Sequence, residues 1–136
     1  MKDLPCILVV EDNDINAMLL MHFLSTYDNK IERVHNGQQA VDFVLTNPVA
    51  VIMMDINMPI MDGCQATKII RALESITQPH IVAVTADATK ATQERCQSVG
   101  MNDFLAKPFN AEQLKTLMDP VIGNEIIEIS ATSMNI

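Results

Sequence analysis

The stretch VAVIMMD at residues 49–55 decides the fold, because six apolar residues in a row end abruptly on a carboxylate. An apolar run of this length, without alternation, is typical of a strand buried on both faces of a parallel sheet that helices cover. Two further segments are predicted as strands for the same reason, Cys6–Val10 and Ile81–Val84. Weaker patterns predict strands at Ile31–Val34 and Asp103–Leu105.

Helical patterns separate these strands. Two segments carry apolar residues at the i, i+3, i+4, i+7 spacing of one helix face, at residues 66–73 and 114–121. Three more helices are predicted from weaker patterns, at residues 15–24, 40–44 and 88–99. Asp14 is the candidate N-cap of the first of these.

Five alternations of strand and helix imply right-handed crossovers and an α/β fold, a doubly wound five-stranded parallel sheet with helices on both faces. The strand order 2-1-3-4-5 is taken over from known sheets of this kind. In such a sheet ligands bind at the carboxyl ends of the strands, where the order reverses between strands 1 and 3. A length of 136 residues predicts one domain, residues 1–120, followed by a short tail or linker at 121–136.

The composition argues against several classes of protein. The net charge of −8, from 9 basic and 17 acidic residues, disfavours direct nucleic-acid binding, which needs a basic face. An odd number of widely spaced cysteines predicts neither a disulfide framework nor a zinc motif. No signal peptide is evident, and no apolar run approaches the roughly 20 residues of a membrane helix. We therefore expect a soluble, cytoplasmic protein that does not insert into membranes.

Polar side chains stand at the ends of four of the five predicted strands. In chain order they are Glu11 and Asp12, Asp55, Thr85 and Lys107. Carboxylates roughly 4–5 Å apart repel by on the order of 3–4 kcal/mol per pair at an effective dielectric of about 20. Three of them together require cations or raised pKa values. Lys107 supplies one positive charge, and Mg²⁺, which suits an open all-oxygen site, would supply the rest. The absence of histidine and cysteine at these strand ends argues against zinc.

Four motifs in this order resemble a known family. They are VVEDNDIN at 9–16, MDINMPIMDG at 54–63, VTA at 84–86 and FLAKP at 104–108. Together they are similar to the receiver domain of two-component response regulators, especially the receivers attached to hybrid sensor histidine kinases, over about residues 7 to 118. The resemblance implies a flavodoxin-like sheet and a role in phosphorelay signal transduction.

The resemblance also implies a role for each matched residue. Asp55 would be the nucleophile that takes a phosphoryl group from a phosphohistidine. Asp12, Asp55 and the backbone carbonyl of Asn57 would bind Mg²⁺ directly, with Mn²⁺ as a substitute. Glu11 would act through a metal-bound water. Lys107 would pair first with Asp55 and then with a phosphoryl oxygen.

A switch, a partner and a backbone feature follow from the same resemblance. Thr85 would hydrogen-bond the phosphoryl group, and Phe104 would occupy an aromatic switch position, with plain core packing as the alternative for Phe104. The donor would be a sensor histidine kinase or a histidine phosphotransfer protein. The chain would promote its own phosphorylation and dephosphorylation and would not be a conventional turnover enzyme. The need to aim Lys107 at Asp55 adds to the resemblance in predicting a cis Lys107–Pro108 bond.

Three other functions are weighed against this one. A hydrolase of the haloacid-dehalogenase type also phosphorylates an aspartate but has a second aspartate two residues later, where this chain has Asn57. A flavodoxin-type flavin site needs a phosphate loop, and Glu11-Asp12 would repel a phosphate there. A receiver that binds partners without phosphorylation would not need the acidic set and Lys107.

Overall fold

The computed structural model of the protein describes residues 4–123. Five strands alternate with five helices along the chain, and a short π-helical turn, Asp119–Gly123, follows the last helix. The elements are β1 (Cys6–Val10), α1 (Asp14–Leu24), β2 (Ile31–Val34), α2 (Gly37–Thr46), β3 (Val49–Asp55), α3 (Gly63–Ala72), β4 (His80–Thr85), α4 (Lys90–Ser98), β5 (Asp103–Ala106) and α5 (Ala111–Met118).

All strand pairs are parallel, and the strand order is β2-β1-β3-β4-β5. The predicted α/β class and strand order are therefore confirmed. The predicted tail, residues 121–136, lies outside the described residues except for its first three. Within residues 4–123, no helix combines the length and the apolar character that a membrane crossing requires.

Helices cover both faces of the sheet, which is why its central strands are apolar at nearly every position. On one face Leu8 and Ile52 pack with side chains of α2, α3 and α4. On the other face Val9 and Met53 pack with side chains of α1 and α5. These four side chains are fully buried, and each contributes roughly 1.5–3 kcal/mol of hydrophobic stabilisation.

Each helix begins at a polar N-cap residue, and one of these differs from the prediction. Asn13, not Asp14, caps α1, and its side-chain oxygen accepts a hydrogen bond from the Asn16 N–H at 2.9 Å. Asp14 is the first helical residue, and its carboxylate is bound by Arg33 at 2.7 Å instead. The prediction was wrong because adjacent Asn and Asp are equally good caps by residue type, and the Arg33 contact is tertiary.

Candidate active site

The carboxyl ends of β1 and β3 bring three carboxylates together. Asp55 is the last residue of β3, and Glu11 and Asp12 directly follow β1. One oxygen from each of the three lies within 4.8 Å of the others. Glu11 and Asp55 are buried, whereas Asp12 is exposed. The cluster therefore sits at the reversal of strand order, with one side open to solvent.

Lys107 reaches this cluster from the loop after β5. Its Nζ lies 2.7 Å from Glu11 Oε1 and 3.8 Å from Asp55 Oδ1, so its shorter contact is with Glu11. The Lys107 N–H donates to the Thr85 carbonyl at 2.8 Å, which anchors the loop to the end of β4. The Lys107–Pro108 peptide bond is cis, as predicted.

The proximity of the carboxylates changes how they titrate. Burial, a hydrogen bond with Glu11 and the Glu11 charge raise the pKa of Asp55 to about 7, although Lys107 opposes the shift. Burial also disfavours the Glu11 carboxylate, but hydrogen bonds from Lys107 and Asp55 outweigh it, so the pKa of Glu11 is lowered. Without a cation, Asp55 is therefore the carboxyl of this pair that keeps its proton toward neutral pH, whereas Glu11 is ionised.

The residues present fit a hard divalent cation. When all three carboxylates are ionised they carry a charge of −3 and Lys107 returns +1, so a divalent cation would balance the excess of about two negative charges and displace the proton from Asp55. The donors are all oxygens, which suits Mg²⁺. The exposed side of Asp12 leaves room for the waters that Mg²⁺ retains. Asn57 lies in the adjoining loop and is also exposed.

Thr85 and Phe104 lie on β4 and β5, the two strands on the other side of β3 from β1. Thr85 ends β4 with 1% of its surface exposed, and its hydroxyl accepts a hydrogen bond from the Asp87 N–H at 3.1 Å. Phe104 is half-buried against the layer formed by α2, α3 and α4. Its ring also lines a surface cavity of about 270 Å³ between α4 and β5.

Two features near the site were not predicted from the sequence. Arg33 of β2 donates hydrogen bonds to the backbone carbonyl of Glu11. The sequence offers little indication of this role for Arg33, because it is a single basic residue in a four-residue strand. The second feature is a set of exposed apolar side chains in α1 and in the loop after β3: Ile15, Met18, Leu19 and Ile60.

Comparison with known proteins points to one family. The family model described as "Response regulator receiver domain" matches residues 7–119. Hybrid signal transduction histidine kinase M of Dictyostelium discoideum is 35% identical over 124 residues, which cover 88% of this chain and 5% of that protein. Signal transduction histidine-protein kinase BarA of Escherichia coli K12 is 37% identical over 112 residues, covering 82% of this chain and 12% of BarA. The chain thus spans only a small part of these curated relatives.

Solved structures agree in fold. The receiver domain of sensor histidine kinase PA1611 from Pseudomonas aeruginosa PAO1, with magnesium coordinated in its active-site cleft, is 37% identical. The match covers 88% of this chain and 98% of that one, with a TM-score of 0.79. A second match is the co-crystal structure of the histidine phosphotransfer protein Ypd1 and the receiver domain of Ssk1 from Saccharomyces cerevisiae. The matched chain is 29% identical to this one, with a TM-score of 0.78. That match covers 91% of this chain and 94% of the matched chain.

The matched region runs from β1 to the end of α5 and contains all three carboxylates of the cluster as well as Lys107. Because family, fold and acidic site coincide over the same residues, the chain belongs to the response regulator receiver domain family of two-component and phosphorelay signalling.

Proposed function

We propose that this receiver takes a phosphoryl group from a phosphohistidine onto Asp55 in a Mg²⁺-dependent reaction. The observation that carries the proposal is a buried aspartate at a strand end, surrounded by Glu11, Asp12 and Lys107. The chain promotes its own phosphorylation and dephosphorylation and is not a turnover enzyme. It thereby controls a partner or an attached domain.

In the transfer, an Asp55 carboxylate oxygen attacks phosphorus, the P–N bond to the donor imidazole breaks, and an aspartyl phosphate forms. A bound Mg²⁺, or Mn²⁺ with the same charge and oxygen preference, supplies positive charge for the phosphoryl oxygens. Asp12, Asp55 and the Asn57 carbonyl would hold it, and Glu11 would act through water. Lys107 would then move from its Glu11 contact to a phosphoryl oxygen.

The donor surface is proposed to lie beside the site, on the exposed apolar residues of α1. Ile15 is 77% exposed and Met18 is 69% exposed. Next to them a pocket of about 240 Å³ opens between Leu19 on α1 and Phe109 after β5, with Lys107 in its lining. An apolar helix bearing the phosphohistidine fits this surface. The receiver complex with Ypd1 supports a sensor kinase or phosphotransfer protein as the donor.

We also propose a switch in which the Thr85 hydroxyl moves toward the phosphoryl group. Thr85 now accepts a hydrogen bond from the Asp87 N–H, and a phosphoryl oxygen would offer it an acceptor of higher charge. A shift of Thr85 would free space for Phe104 to turn inward from its half-buried position. The surface of α4, β5 and α5 would change in consequence.

Acetyl phosphate labelling tests the function directly. With Mg²⁺, intact mass should show one phosphoryl group on the wild type and none on Asp55→Asn, and a chelator should prevent labelling. Full labelling of Asp55→Asn at another residue contradicts the assignment. A hydrolase would release phosphate continuously without retaining the mass increase, and a binding-only receiver would stay unlabelled.

Metal binding tests the site separately. We expect weak Mg²⁺ binding to the unphosphorylated protein, with NMR shifts at residues 11, 12, 55 and 57. Asp12→Ala should remove these shifts, because it deletes an exposed carboxylate of the cluster. Unchanged spectra of the wild type at tens of millimolar Mg²⁺ would rule out the metal site.

A further inference from the structure

Arg33 links the edge strand to the loop that carries the acidic residues. It lies in β2 opposite Val9 of β1, and Val9 packs in the α1–α5 layer. Registered residues of neighbouring parallel strands share a face, so the Arg33 side chain rises on the α1 side of the sheet. Its Nε and Nη2 donate to the Glu11 carbonyl at 3.1 and 2.7 Å. Its Nη1 donates to Asp14 Oδ1 at 2.7 Å.

The carbonyl that Arg33 holds belongs to the peptide that joins Glu11 to Asp12. The Glu11 N–H donates to the Val34 carbonyl at 3.2 Å. Two consecutive residues of β2 therefore hold the backbone of Glu11 from both ends. The Arg33 side chain is only 17% exposed, so its hydrogen bonds are partly shielded from competing water.

We propose that Arg33 is a positioning residue for the metal site. Two N–H groups on one carbonyl restrict both the position and the rotation of the Glu11–Asp12 peptide plane. That plane determines where the exposed Asp12 carboxylate points relative to Asp55. Arg33 touches no reacting atom and acts through the backbone. The inference rests on the proposed function, since it presumes a divalent cation bound by Asp12 and Asp55.

The charge of Arg33 and its hydrogen bonds should change Mg²⁺ affinity in opposite directions, so a measurement can tell the two effects apart. A guanidinium near the cluster repels a cation, so removing its charge alone would tighten Mg²⁺ binding. Removing its two hydrogen bonds to the Glu11 carbonyl would instead weaken Mg²⁺ binding. Arg33→Lys keeps the charge but loses the planar fork of donors, and Arg33→Gln loses both.

The experiment is a Mg²⁺ titration of the full chain by NMR, with labelling rates from acetyl phosphate measured over the same Mg²⁺ range. We expect Arg33→Lys and Arg33→Gln to weaken Mg²⁺ binding roughly tenfold, the low end of the range for residues that orient metal ligands. At saturating Mg²⁺ their labelling rates should return to within about threefold of the wild type, since Arg33 acts on occupancy of the site.

Two controls separate this role from general effects. Lys30→Gln removes an exposed ion pair with Glu32 close by on the same edge of the sheet and should leave Mg²⁺ affinity within about twofold. Asp14→Asn breaks the Arg33 ion pair but leaves both hydrogen bonds to the Glu11 carbonyl, so it should weaken Mg²⁺ binding less than Arg33→Lys does.

Three results would overturn the proposal. They are unchanged or tighter Mg²⁺ binding in both Arg33 variants, a labelling rate that stays low at saturating Mg²⁺, and loss of the fold in both variants, which would make Arg33 a residue of general stability. Failure of the proposed function is distinguishable, because the wild type itself would then neither bind Mg²⁺ nor be labelled on Asp55.

Discussion

At the scale of single residues, Asp55 couples folding to pH. Its ordinary pKa of 3.8 is raised to about 7 in the folded protein by burial and by Glu11. Between these values the folded state keeps a proton that the unfolded chain has lost. The contribution of Asp55 to stability is therefore fully present below about pH 4 and is lost as the pH rises through about 7.

Asp55→Asn removes this titration. In metal-free protein we expect the mutant to gain stability relative to the wild type between pH 5 and pH 8, by on the order of 2 kcal/mol. Urea unfolding at the two pH values measures the difference. Adding Mg²⁺ at pH 8 is the control, since it should stabilise the wild type and not the mutant. A difference that is independent of pH would contradict the raised pKa of Asp55.

Ile60, in the loop after β3, adopts a backbone conformation that a β-branched residue disfavours. Its φ is +73°, and the Met61 N–H donates to the Pro59 carbonyl at 2.8 Å across it, which makes a tight γ-turn. Ile60 is 83% exposed, so little burial offsets this strain.

We expect Ile60→Gly to stabilise the protein by about 1 kcal/mol, because strain of this kind costs roughly 1–3 kcal/mol and glycine loses part of that gain to its greater freedom when unfolded. Thermal or urea unfolding measures the effect. Ile60→Val, which keeps the β-branch, should leave stability within about 0.5 kcal/mol. A destabilised Ile60→Gly variant would show that the loop carries no strain.

At the scale of elements, the start of α3 fixes the loop after Asp55. Asp62 and Gln65 form a capping box at 2.8 and 3.0 Å, and the Gly63 N–H donates to the Ile56 carbonyl at 2.9 Å. A Cβ on Gly63 would lie 2.3 Å from the backbone oxygen of Asp55. The helix can therefore approach the strand end this closely only with glycine there.

Gly63→Ala should destabilise the protein by roughly 1–3 kcal/mol, the range for overpacking a well-packed site, and should weaken Mg²⁺ binding because the Asp55 backbone must shift. Urea unfolding and Mg²⁺ titration together measure both effects. Ala72→Ser, at an exposed position of the same helix, is the control and should change stability by less than about 0.5 kcal/mol. Wild-type stability for Gly63→Ala would show that the loop adapts freely.

At the scale of the whole molecule, the proposed switch links the carboxyl ends of the strands to the surface of α4, β5 and α5. Beryllofluoride, standing in for the phosphoryl group on Asp55, should shift NMR signals of Thr85, Phe104 and α4. Such a change in conformation requires only that the free and the switched conformations differ in how strongly they interact with the bound group.

Substitutions at Thr85 test this coupling. Thr85→Ser keeps the hydroxyl and should keep the response of Phe104 and α4, whereas Thr85→Val, of similar shape without the hydroxyl, should abolish it while Asp55 still binds beryllofluoride. If the wild-type Phe104 and α4 signals do not move on binding, the switch is wrong for this chain, and the separate proposal that Asp55 is the acceptor is unaffected.

The amino-acid sequence by itself determined the succession of strands and helices along the chain and the place of the acidic site. Five runs predicted the five strands to within a residue or two. The pattern was clearest for β1, β3 and β4, because a strand buried on both faces is apolar at nearly every position, and weaker for the half-buried β2 and β5, which contain charged residues. Residues that follow such strands must meet at one edge of a parallel sheet, so Glu11, Asp12, Asp55 and Lys107 could be grouped without coordinates.

Only the tertiary structure decided which of these groups touch. Residue types could not choose between Asn13 and Asp14 as the cap of α1, nor show that the shorter contact of Lys107 is with Glu11. Arg33 could not be found, because its partner is a backbone carbonyl, which every residue possesses and no sequence pattern marks. Strand periodicity is local along the chain, whereas these contacts join residues many positions apart, and their distances are set by the packing of whole elements.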